Sequence, residues 1–360
     1  MKIQLSINAE RNSKIELLRC IAMLLVVMSH SSVHGNFPIT NSTVTVNSCV
    51  LDWMTLGNLG TDIFVILSGW NLCTKRIKPQ AVLYFVVQIW TVSVLGLIIR
   101  GLTGYSLSGN DLLRSIFPIM FDSWWFATAY LVLLLLSFGI NVFVDNVTQK
   151  QLNGCLITMM VLWSIIPTLS TQDMYGGHLL QMIMLYLMGA YLRKYPNNFF
   201  SKKKYAVSMI LISITFIFLS SVVIRLVNLN IMMLPFKTTM LYDRTSVLVI
   251  VCALAMVSLA VYSCPFKNKL VNTVGACTFG IYLLHEHPLI KDILWNEWVN
   301  NTRYFYSVSF SVRMLLGVIA VYGVCAFVEW LRIIFLSKPM NRIAKKLYEA
   351  VSTNINNHKA

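Results

Sequence analysis

IELLRCIAMLLVVMSHSSVH, residues 15–34, is apolar enough to enter a bilayer and yet carries Glu16, Arg19, His30 and His34. About twenty such residues match a hydrocarbon layer roughly 30 Å thick. At about 100° and 1.5 Å per residue, the eleven steps from Arg19 to His30 close to within about 20° of whole turns. The two side chains therefore share a helix face, about 16 Å apart along the axis. Glu16 stands one turn before Arg19 and His34 one turn after His30, so the polar stripe continues at both ends. Polar groups in a spanning helix are costly and usually face a protein interior or a water-filled cavity. The plainer reading is an ordinary anchor, with Glu16 and Arg19 on one flank and the two histidines in the opposite interface.

Composition extends this reading to the whole chain. With 57% hydrophobic and 12% charged residues over 360 positions, the sequence does not describe a soluble domain. It predicts an all-α, polytopic integral membrane helical bundle forming one integrated domain. Ten spans are expected, at 15–34, 57–74, 82–100, 124–144, 152–169, 178–193, 205–227, 245–262, 270–289 and 312–336. The N-terminus lacks a signal-peptide core and cleavage site, so the first span is expected to stay. Pro167 is expected to end the fifth span. The division is a flank at 1–14, a membrane domain at 15–336 and a basic tail at 337–360.

The loops set an orientation. Twenty Lys and Arg residues fall in one alternate set, which includes Lys75, Arg76, Arg193, Lys202–Lys204 and the tail. The other set holds eight: Arg100, Arg114, Arg225, Lys237, Arg244, Lys291, Arg303 and Arg313. By the positive-inside rule both termini should be cytoplasmic. The net charge of +15 is then explained by orientation and by attraction to anionic lipid, with no nucleic-acid partner required.

This orientation puts His30, His34, His178, His285 and His287 at the outer ends of spans, leaving only His358 in the tail. Histidine is the side chain that titrates near neutral pH, so the grouping points to proton-transfer chemistry at the outer face. His34 and His178 read more simply as interfacial residues; His30 and His285 are the candidates. The outer loops 35–56, 101–123 and 290–311 are too short for soluble domains. Their aromatics suit an interfacial belt, with a sugar-stacking platform as the sharper reading. The eight cysteines are scattered and give neither a disulfide framework nor a metal-ligand spacing, so no metal is expected.

Five segments together resemble the membrane acyltransferase-3 family. RNSKIELLRCIAMLLVVMSH resembles its opening, in which Arg, ten residues and His mark the first span; Arg19 and His30 match. GNLGTDIFVILSGW resembles its second-span pattern and supplies Asp62, Ser68 and Gly69. SWWFATAYL, with Trp125, resembles its Trp-Phe element. HLLQMIMLYLMGAYLRKY resembles its mid-chain span, and FGIYLLHEHPLI resembles its late segment, placing His285 and Glu286. The resemblance covers about residues 11–336 in order. This chain departs from the pattern in having Glu16-Leu17-Leu18 before Arg19 and Trp70 after Ser68-Gly69. It also shows no fused esterase-like domain, which is similar to the stand-alone branch that O-acetylates surface polysaccharides.

The resemblance implies acetyl-CoA from the cytoplasm as donor substrate, with no bound cofactor. The implied acceptor is a hydroxyl of a cell-surface polysaccharide or lipid-linked saccharide, reached from a plasma or bacterial inner membrane. An anionic donor suits Arg19, and a hydroxyl needs a general base such as His30. Direct transfer and an acyl-enzyme relay both remain open. Asp62 or Glu286 could orient an imidazole or be solvated helix-end acids. Ser68 reads as a packing residue beside Gly69, because no hydrolase elbow surrounds it. A transporter or flippase for a lipid-linked saccharide is the alternative from another class.

Overall fold

The computed structural model describes residues 12–170 and 177–357. Lys2, Arg11 and Lys359, on which part of the charge reading rests, and His358 of the histidine reading lie outside the described residues. The chain begins with α1 (Ser13–Val33), α2 (Val46–Met54), α3 (Gly57–Leu72), α4 (Pro79–Leu102) and α5 (Gly109–Ile116). It continues with α6 (Trp125–Asn146), α7 (Gln149–Met160), α8 (Ile166–Ser170), α9 (Gly177–Lys194) and α10 (Lys203–Asn230). α11 (Val247–Val261), α12 (Lys269–His285), α13 (Lys291–Ile293) and α14 (Phe310–Asn357) complete it. No strand occurs among the described residues, and the protein is an all-α polytopic membrane bundle.

Among the described residues, eight helical stretches are long and apolar enough to cross a membrane. The other two expected spans, 178–193 and 270–289, are helices of 18 and 17 residues, α9 and α12. Both lie against the buried core, and their Gln181, Asn272, Thr278 and His285 are buried in protein.

Some expectations needed correction. The loop 35–56 contains α2, started by a reciprocal cap between Thr45 and Ser48. The loop 101–123 contains α5, capped in the same way by Ser108 and Asp111. Pro167 does not end its helix. The backbone widens into a π-turn at Val161–Ile165 and resumes as α8, a local change that accommodates the missing proline N–H. The last helix runs on past residue 336, with Pro339 inside it, to Asn357.

Two glycines set the tightest crossing. A Cβ on Gly69 of α3 would lie 2.0 Å from the Tyr186 carbonyl oxygen, and one on Gly189 of α9 2.0 Å from that of Ile66. Only hydrogen at these positions lets the two backbones approach so closely. α1 and α12 run parallel and are pinned at both ends. Ser13 Oγ donates to Asn272 at 2.8 Å, and seventeen residues further along α1 His30 meets His285.

Arg225, counted among the loop cations, and Arg332, counted in the set of twenty, are instead buried inside helices. Arg225 forks onto Asp52 of α2 at 2.6 and 2.8 Å, and also donates to the carbonyls of Thr40 and Thr43. It thereby fastens the 40–54 segment to α10. Arg332 forks onto Glu329 one turn away at 2.6 and 2.7 Å.

Candidate active site

The ends of α1 and α12 build one cluster. His285 Nδ1 lies 2.6 Å from the Ile281 carbonyl, which can only accept, so this nitrogen carries the proton. His285 Nε2 is then an acceptor, and His30 Nδ1, 2.9 Å away, donates to it. The same His30 nitrogen is 3.1 Å from Glu286 Oε2. With Nδ1 protonated, neutral His30 has its lone pair on Nε2.

Glu286 is the hub of the cluster. Its Oε2 also accepts from His34 Nε2 at 2.8 Å, and its Oε1 accepts from Lys291 Nζ at 3.1 Å. His34 thus has a specific partner and is not a free interfacial residue. Its position on the Arg19–His30 stripe was the sequence signal for this. His287, two residues beyond His285, faces elsewhere: its Nδ1 accepts from Leu289 N–H, while Nε2 points at the Ser93 carbonyl, 3.4 Å away. Both of its nitrogens are used in packing.

Beside the cluster is a cavity of about 560 Å³ lined by His30, Thr61, Trp125, Lys237, Tyr242 and Asp243. That volume falls in the usual range of small-ligand sites. Its walls come from α1, α3, α6, α8 and the segment before α11. The exposed Lys237 contributes a cation that the loop census counted but gave no role.

The other expected residues divide into separate groups. Arg19 and Glu16 pair at 3.7 Å at the opposite end of the stripe from His30. Ser68 Oγ donates to the Phe64 carbonyl and accepts from Tyr130 Oη, both at 2.8 Å. Its proton is held by the helix, as expected of a packing residue rather than a nucleophile. Asp62 is 2% exposed on α3 and lines a small niche with Trp125 and His178. Of the two acids considered as orienting groups, Glu286 is the one in contact with His30. His30, His34 and Glu286 also carry ligand-type atoms within 4.8 Å of one another, a geometry that a metal ion could use. Here those atoms are joined by hydrogen bonds.

The acyltransferase-domain family model matches residues 12–330, which include both pinned ends of α1 and α12. The chain belongs to the acyltransferase-3 family. No curated protein and no solved structure matches it. As a member of the acyltransferase-3 family it is a multi-pass membrane acyltransferase. Family membership gives the His30 cluster its chemical context, because a protonated nucleophile that takes up an acyl group must lose its proton, and an imidazole is suited to accept it.

Proposed function

We propose that this acyltransferase moves an acetyl group from cytoplasmic acetyl-CoA to a hydroxyl of a surface polysaccharide or lipid-linked saccharide. The observation that carries the reading is His30. Its Nδ1 is committed to His285 and Glu286, its Nε2 holds a lone pair, and it lines a cavity of small-ligand size.

In the proposed step, His30 Nε2 takes the hydroxyl proton as the oxygen attacks the thioester carbonyl. The C–O bond forms, the C–S bond breaks, and the imidazolium returns its proton to the departing thiolate. Atoms and charge balance without another reactant. Glu286, facing His30 Nδ1, offsets the charge that develops on the ring. His285 fixes the ring through its hydrogen bond to Ile281 and acts as a positioning residue. Arg19 receives the anionic donor from the cytoplasmic side, which the loop charges assign to its end of the bundle. The same bias supports cytoplasmic termini in a plasma or bacterial inner membrane.

The test is purified protein in lipid nanodiscs with radiolabelled acetyl-CoA and a panel of methyl glycosides and lipid-linked saccharides. Labelled ester from wild type, and not from His30→Ala, supports the reading. Absence of ester from every acceptor overturns it.

A further inference from the structure

Asp62 carries a buried carboxyl group that the proposed transfer step does not use. It is 2% exposed, and its Oδ2 has no hydrogen-bond partner. Burying a carboxyl oxygen without a partner costs about 1–3 kcal/mol or more, so the site favours a donor from outside the fold.

Asp62 lines a niche of about 10 Å³ together with Thr61, Trp125, His178, Gln181 and Arg244. This is room for one water or one hydroxyl group, and for nothing larger. Thr61 and Trp125 line both this niche and the His30 cavity, so the two spaces share a wall. That wall is braced. The Trp125 ring lies 5.2 Å from the His178 ring and 5.3 Å from the Arg244 guanidinium, which donates to His178 Nε2 at 3.2 Å. Gln181 in turn donates to the Arg244 carbonyl. A flat indole beside a hydroxyl-sized niche lined by an acid suits a sugar ring and the hydroxyl next to it.

We propose that Asp62 is a specificity residue for the acceptor. It accepts a hydrogen bond from a second sugar hydroxyl, not the one being acetylated, and so sets which hydroxyl faces His30. The inference rests on the saccharide reading of the cavity. It adds that one particular non-reacting hydroxyl is read by one carboxyl group. A site built to bond a hydroxyl strongly rejects the analogue that lacks it.

The experiment uses the full chain in nanodiscs with acetyl-CoA and methyl glucoside, methyl galactoside and methyl N-acetylglucosaminide, each with its monodeoxy forms. For wild type, one deoxy form that keeps the acetylated hydroxyl should raise the acceptor KM about ten- to a hundredfold. Asp62→Asn should raise KM for the parent glycoside by a similar factor, more than it lowers kcat, and should no longer distinguish that deoxy form. The wild-type deoxy series decides the matter even if Asp62→Asn fails to fold, because equal KM values across it overturn the proposal. Unchanged acceptor kinetics in a folded Asp62→Asn protein also overturn it.

Saturation-transfer NMR with the same glycosides and no acetyl-CoA separates this proposal from the catalytic one. Binding that depends on one hydroxyl in wild type but not in Asp62→Asn upholds the niche even where no acetyl transfer occurs. Absence of glycoside binding overturns it.

Discussion

His30 and His285 meet Nδ1 to Nε2 at 2.9 Å, although 255 residues separate them in the chain. Because His285 Nδ1 is tied to the Ile281 carbonyl, the contact fixes the tautomers of both rings. The consequence is an order of importance among the histidines, and it can be measured.

His30→Ala should lower O-acetylation by about 10²–10⁴, the usual contribution of a general base. His30→Gln keeps hydrogen-bonding atoms but cannot accept the proton, and should be equally impaired. The measurement is acetyl ester per unit of correctly inserted protein. Wild-type rates in both variants would remove His30 from the chemistry.

Glu286→Gln preserves shape and removes the charge that faces His30 Nδ1, His34 and Lys291. Loss of charge-assisted bonds predicts a fall in kcat of about ten- to a hundredfold, with a smaller change in acceptor KM. Asp62→Asn should show the opposite split. Identical patterns for the two variants would contradict the separate roles.

Arg19→Ala should weaken acetyl-CoA affinity in protein that still inserts. Lysine should rescue only in part, since it lacks the planar fork. Equilibrium binding of labelled acetyl-CoA checks this. Unchanged affinity would leave Arg19 as the partner of Glu16, 3.7 Å away.

Gly69→Ala and Gly189→Ala should each destabilise the bundle by about 1–3 kcal/mol, because the added methyl meets a backbone carbonyl. Gly139→Ala and Gly323→Ala are the controls: nothing lies within 4 Å of a Cβ there. A helical alanine at those sites should be neutral or slightly stabilising. Thermal unfolding in detergent, followed by tryptophan fluorescence, ranks the four.

Cysteines engineered at exposed positions within 35–56, 101–123 and 290–311 should react with an impermeant reagent added to intact cells. Those at 194–204 and 338–352 should react only after permeabilisation. External labelling of Lys202→Cys would reverse the orientation and with it the side from which the donor arrives.

The sequence by itself determined the helical membrane architecture and the polar stripe of α1. Apolar runs of spanning length and a fixed rotation per residue are local properties, so Arg19 and His30 could be placed on one face from their spacing alone. Irregular detail inside loops was less legible. α2 and α5 are short and start at polar caps within segments that otherwise read as turns. Only the tertiary structure decided the partners. Whether Glu286 or Asp62 would reach His30 depends on α12 running parallel to α1, pinned by Ser13 and Asn272 at one end and by two imidazoles at the other. Likewise Arg225 reads as a loop cation until α10 packs beside α2 and Asp52 receives it. Spacing along one helix is fixed by its own hydrogen bonds, whereas contact between helices depends on which side chains let their backbones approach, as Gly69 and Gly189 do for α3 and α9.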